Sequence, residues 1–191
     1  MTKHPNEVTI DGDVAYIHLR DGISTIVDVS DLPFLSEYRW CAYTVKPVKN
    51  RSSPARVITN MPVGVKPSTK ALPRVLLGIS DTLIEVDHIN CDPLDNRRSN
   101  LRICTRGENA KNREKPRRAS SSKYKGVSLH RDSGRWMAFI GLNRRCRYIG
   151  SYKTDIDAAM AYDKAAIKIH GEFAKLNFPA LIDNQQKEWK E

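Results

Sequence analysis

Residues 14–19, 25–29, 40–45 and 56–61 are short runs rich in apolar, β-branched and aromatic side chains, as expected of strands. The pairs Asp11-Gly12, Asp21-Gly22 and Val63-Gly64 separate these runs as turns, so residues 8–65 are expected to form short strands. Between them, residues 30–38 fit a short helix that lays Leu32 and Leu35 on this sheet. From residue 69 the pattern changes. Residues 69–77 read as a helix, with Pro73 in the first turn, where its missing N–H is tolerated, and Gly78 just past the end. A strand over 83–87 leads into an asparagine-rich loop, 90–100, which returns as a strand over 101–104. Thr105 and Glu108 have capping-box spacing, so a helix should begin near Arg106 and stop before Pro116.

Three further strands are expected over 124–130, 136–142 and 145–151, followed by a helix over 156–170. Thr154 is its N-cap and Gly171 its stop, with Ala158, Ala161, Tyr162, Ala165 and Ile169 on the inner face. Alternation turns Trp136, Ala138 and Ile140 inward, and Met137 and Phe139 outward. The chain is therefore expected to be α+β: a β-rich scaffold over 1–68, a strand–loop–strand–helix unit over 69–115 and a basic linker over 116–122. A three-stranded antiparallel sheet packed on one helix follows over 123–180, and a tail over 181–191.

Charge changes this picture from architecture to partner. There are 32 Lys and Arg against 22 Asp and Glu in 191 residues, and the excess is local. Residues 97–118 hold nine basic and two acidic side chains, and 122–179 hold eleven and five. Such a footprint favours a polyanion, because each neutralised phosphate releases counterions. No run reaches the length of a membrane span, and the N-terminus lacks the apolar core of a signal peptide. Cys41, Cys91, Cys104 and Cys146 form no Cys-x-x-Cys pair, so reduced thiols in a cytoplasmic, non-secreted protein are the expectation.

Candidate chemistry concentrates in Val86-Asp87-His88-Ile89-Asn90, Asp95-Asn96-Arg97-Arg98-Ser99-Asn100-Leu101 and Glu108-Asn109. Asp87 and Asn109 offer hard oxygen ligands suited to Mg²⁺. Histidine as a residue type ordinarily changes charge near neutrality, which makes His88 a candidate for proton abstraction from water. Consecutive strand residues face opposite ways, so both serve one site only where the strand bends or ends. Each piece also has an ordinary reading: Asp92-Pro93 as a turn, Asn96 and Asn100 as loop amides holding backbone, Asn109 as a solvated first-turn residue.

Together these residues resemble the ββα-metal (His-Me finger) site of HNH endonucleases, in the His-Asn-Asn form of phage and intron-encoded homing enzymes. The resemblance implies that Asp87 and Asn109 bind Mg²⁺ or Mn²⁺, that His88 is the general base, and that Asn100 fixes the loop. It implies one-metal hydrolysis of a phosphodiester, with a single nick per visit by a monomer. The family often carries His-Arg in the preceding helix, where this chain has Pro73-Arg74.

The second block is more extensive. Tyr124-Lys125-Gly126-Val127, Trp136, Tyr148-Ile149-Gly150, Asp157-Ala158-Ala159, Ala161-Tyr162-Asp163 and Ala174-Lys175-Leu176-Asn177-Phe178-Pro179 resemble the apetala-two/ethylene-response-factor DNA-binding domain. That family lays its sheet in the major groove with the helix behind. Double-stranded DNA is then the partner, and Arg97, Arg98, Arg102, Arg113, Arg117, Arg118, Lys125, His130, Arg135, Arg144, Arg145, Arg147 and Tyr148 are the candidate contacts. Ser128, Phe139 and Gly141 stand where the plant proteins use arginine. Both resemblances together imply a site-specific DNA endonuclease, in the host cytoplasm if phage-encoded. The alternative is a catalytically inactive DNA-binding regulator that keeps the ββα element as scaffold.

Overall fold

The computed structural model describes residues 6–43, 56–60, 69–113, 121–143 and 145–180, and the chain divides into two compact units, Met1–Arg106 and Gly107–Glu191. Among the described residues, no helix is long and apolar enough to cross a membrane.

In the first unit, β1 (Val8–Asp11), β2 (Val14–His18) and β3 (Ser24–Asp28) form an antiparallel meander. Strand β1 is exposed along its whole length, so it contributes no inward face for the sequence pattern to reveal. After a 3₁₀ turn over Val29–Asp31, the expected helix is a single turn, α1 (Leu32–Leu35), which buries Leu35. A second sheet joins β4 (Trp40–Tyr43), β5 (Arg56–Asn60) and β6 (Thr69–Ala71).

The helix expected over 69–77 is shorter than the sequence suggests. Thr69–Ala71 pairs with β5, and α2 spans only Leu72–Leu76, with Pro73 in its first turn. The unit closes with β7 (Glu85–His88) against β8 (Leu101–Cys104). One hydrophobic core runs through most of these elements, from Ala15, Ile17 and Val27 through Leu35, Trp40 and Val57 to Leu72, Leu76 and Leu101. The scaffold segment and the strand pair thus share their buried surface.

The second unit opens with α3 (Arg106–Asn112), whose first residue lies at the unit boundary. Strands β9 (Val127–His130), β10 (Arg135–Leu142) and β11 (Arg145–Tyr152) make an antiparallel sheet in the order β11-β10-β9. Helix α4 (Asp155–His170) packs on one face. Thr154 caps it in extended conformation and accepts from the Asp157 N–H, and Gly171 stops it at positive φ. Ala138 and Ile140 are buried against Ala158, Ala159, Tyr162 and Ala166, and Trp136 packs beside them.

The buried stripe of α4 is rotated from the expected one. Ala159, Asp163, Ala166 and His170 are buried, whereas Ala161, Ala165 and Ile169 are only half-buried. The cause is the segment after the helix. Its Asn177 and Phe178 N–H groups donate to the Asp163 carboxylate at 2.8–3.0 Å, which draws that side chain inward. Asn177 in turn accepts from the Lys125 N–H, and Phe178 packs on Tyr124.

Candidate functional site

Strand β7 ends at His88 because the chain turns at once: the Cys91 N–H donates to the His88 carbonyl, and Cys91 takes a left-handed conformation at φ 67°. The following loop is held by its own amides. Asn100, buried, accepts from the Asn90 N–H at 3.0 Å and donates through Nδ2 to the Asp95 carbonyl at 2.7 Å and to Asn90 Oδ1 at 3.0 Å. A buried amide with both ends bonded fixes backbone.

His88 meets a residue that the sequence left as an ordinary loop amide. Its Nε2 lies 3.1 Å from Oδ1 of Asn96, which is fully buried. Asn96 spends its Nδ2 on Thr25 Oγ1 at 2.8 Å and on the Pro93 carbonyl, so Oδ1 is the end turned to the imidazole. A neutral His88 therefore donates from Nε2 and carries its lone pair on Nδ1. Thr25 is 71 positions away and donates onward to the Leu94 carbonyl. Backbone bonds between Ile26 and both Leu94 and Asn96 complete the attachment of the loop to β3. No local pattern marks Thr25 or Asn96, since each acts across the fold.

The charged groups are largely paired. Arg97 bonds Asp95 through Nε and Nη2, and this guanidinium holds the Asp95 carboxyl below the usual carboxylate range. Arg98 forks onto buried Asp31. Both arginines keep about half their side chains in solvent, at 40% and 50% exposure, and remain presentable to a phosphate. Arg102 does not. Its Nε and Nη2 reach Asp87 Oδ2 at 3.0 and 2.7 Å, with the two side chains 11% and 7% exposed. Arg102, expected among the DNA contacts, is instead internal, because the β7–β8 register sets it opposite Asp87. Arg74, standing where the family often has His-Arg, fastens α2 to the Asp81 and Ile84 carbonyls.

A carboxylate beside an amide oxygen is the right chemistry for a hard divalent ion. In this arrangement Asp87 Oδ2 takes two N–H groups from the Arg102 cation. Among the described residues, no group of three or more His, Cys, Asp and Glu could hold a metal ion. Asn109 is half-buried on α3 and belongs to the second unit.

In that unit the candidate contacts separate by face. Lys125, expected among the DNA contacts, donates through Nζ to the carbonyls of Lys111 and Arg113 at the C-terminal end of α3. Arg113 itself is exposed. His130, bonded to Ser133, and Arg135, bonded to the Ser151 side chain and carbonyl, are exposed opposite one another at one end of the sheet. Arg145, Arg147 and Tyr148 are exposed on edge strand β11. Arg117, Arg118 and Arg144 lie outside the described residues.

His170, at the end of α4, is buried, and among the described residues its Nδ1 has no hydrogen-bond partner. Burial, then Lys111 and Lys125, push its pKa below the ordinary 6.5. The unfolded chain takes a proton near that value and the folded unit only at lower pH, so stability is lost as pH falls through this window. The wild-type melting temperature is expected to drop more steeply from pH 7 to pH 5 than that of His170→Gln. Parallel pH profiles for the two would refute this.

Two comparisons bear on these surfaces. Residues 122–172 match the family model described as AP2 domain, and residues 78–111 match, more weakly, that described as HNH endonuclease. Similar proteins include the APETALA2-like protein 2 of Oryza sativa, 47% identical over 60 residues, which is 30% of this chain and 14% of that protein. The ethylene-responsive transcription factor WRI1 of Arabidopsis thaliana is 48% identical over 59 residues, 30% of this chain and 14% of that protein. The AP2-like ethylene-responsive transcription factor TOE2 of the same plant is 38% identical over 81 residues, 42% of this chain and 16% of its own length. This chain therefore spans only about a seventh of the curated relatives it matches. The match and the sheet-and-helix architecture agree: residues 122–172 carry an AP2 domain.

Proposed function

We propose that this chain binds double-stranded DNA with sequence preference through its C-terminal sheet. The observation that carries the reading is the AP2 domain itself, a three-stranded sheet with α4 packed on one face, in a segment holding eleven basic and five acidic side chains. Relatives matched over this segment are named as transcription factors, which supports sequence preference beyond charge alone. The test is selection of duplexes from a random pool by the full chain, followed by affinity measured against salt. Binding should weaken with a log–log slope of about −0.9 per phosphate contact. A pool that enriches no motif, or an affinity indifferent to salt, would count against it.

A second reading has its own support. The HNH endonuclease match over residues 78–111 covers Asp87, His88 and the pinned loop, and the Asn96 contact orients His88 to accept a proton at Nδ1. On this reading the chain also hydrolyses phosphodiester bonds, and its regulator alternative retains the segment as scaffold. Supercoiled plasmid carrying a selected binding motif, incubated with Mg²⁺, should yield nicked circles with wild type. His88→Ala should be about 10²–10⁴-fold slower. Intact plasmid with wild type leaves the DNA-binding reading alone standing.

A further inference from the structure

We propose that the face of the C-terminal sheet opposite α4 reads thymine methyl groups in the major groove, through Met137, Phe139 and Tyr148. The inference rests on the DNA-binding reading and adds the base class it prefers. Alternation places Trp136, Ala138 and Ile140 toward α4, and all three pack there, so Met137 and Phe139 stand on the opposite face. The register then names their neighbours: Met137 lies between Ser128 and Ser151, and Phe139 is opposite Tyr148. The two rings touch on that face, with centroids 5.6 Å apart, and Tyr148 is 55% exposed. Gly141, opposite Cys146, continues the same stripe.

Reading guanine in the major groove takes a long forked donor, chiefly arginine, aimed at O6 and N7. The middle of this face has none among its described residues. Arg135 stands at one end, bonded to Ser151, while Arg145 and Arg147 fall opposite Leu142 and Ile140, in the inward-facing register. Two aromatic rings and a thioether are what remains at the centre. Thymine is the base that offers an apolar group, its C5 methyl, to such a surface. Arg135, exposed at one end of this same face, carries a charge that a phosphate of a bound duplex would neutralise. That charge favours DNA over an apolar protein as the occupant.

The test uses the full chain and a duplex enriched by selection from a random pool. The enriched motif should contain thymines, and replacing each with deoxyuridine removes only the methyl. Affinity should fall about threefold to fivefold per contacted methyl, from the apolar surface that a methyl group buries. In Phe139→Ala and in Tyr148→Ala, thymine and uracil duplexes should bind more nearly alike. Tyr148→Ala lies on the exposed edge strand and serves if Phe139→Ala lowers the melting temperature. Uracil and thymine duplexes bound equally by wild type would overturn the methyl reader while leaving DNA binding intact. Failure to enrich any duplex would overturn the underlying reading instead. Concentration-dependent dimerisation lost in Tyr148→Ala, with no thymine preference, would assign the stripe to a second copy of the chain and also overturn the proposal.

Discussion

Gly126→Ala should unfold the C-terminal module near physiological temperature and abolish the proposed DNA binding. Gly126 sits at φ +77°, where a side chain costs about 1–2 kcal/mol. A Cβ there would collide with the Tyr162 ring and lie 2.6 Å from the Phe139 carbonyl oxygen. Neither neighbour has room to yield. Tyr162 is buried with Ile140 and Ala166 and packed by Ala174 and Leu176, and burial, with Asp163 nearby, pushes its phenol pKa up to about 12. Phe139 is tied to Gly126 by its own N–H, which donates to the Gly126 carbonyl at 2.8 Å. Overpacking adds about 1–3 kcal/mol, so a loss of about 3 kcal/mol is expected. For a unit of this size that lowers the melting temperature by roughly 15 °C. Gly134→Ala is the control: φ is +64° there too, but nothing lies within 4 Å of the added carbon. Only the conformational cost should appear. Equal melting temperatures for the two variants would show that the contact with Tyr162 is not what requires glycine.

This contrast also explains what the sequence could convey. The cap at Thr154, the stop at Gly171 and the alternation through Trp136, Ala138 and Ile140 are local rules, settled within a few residues, and they are legible one chain segment at a time. Asn100 belongs with them, since its partners Asn90 and Asp95 lie in the same loop. What escaped reading is long-range. The inward turn of Asp163 depends on N–H groups fourteen and fifteen residues later, and the orientation of His88 depends on Thr25 through Asn96. Strand β6 was read as helix because Thr69–Ala71 acquires its identity only by pairing with β5. Arg102 and Lys125 resemble exposed cations in a basic chain until cross-strand register and a helix end claim them.

Arg102→Met should destabilise the first unit by about 3–5 kcal/mol, the usual consequence of stranding one member of a buried ion pair. The Asp87 carboxylate, 7% exposed, would lose the cation whose two N–H groups it accepts. Asp87→Leu combined with Arg102→Met removes both charges and should recover most of that loss, since a buried pair is rarely better than an apolar one of similar volume. Chemical denaturation of the two variants and wild type measures the coupling directly, and additive losses would mean that the pair is not the source of the effect. The same variants bear on hydrolysis. With Arg102 gone, Asp87 loses that cation, and a divalent ion that binds its carboxylate would stabilise the folded state by mass action. If residues 78–111 are built for metal-assisted cleavage, millimolar Mg²⁺ should raise the midpoint of Arg102→Met and leave the double variant unmoved. An Arg102→Met protein indifferent to Mg²⁺ would instead identify Asp87 as one half of a structural pair, and favour a chain that binds DNA without cutting it.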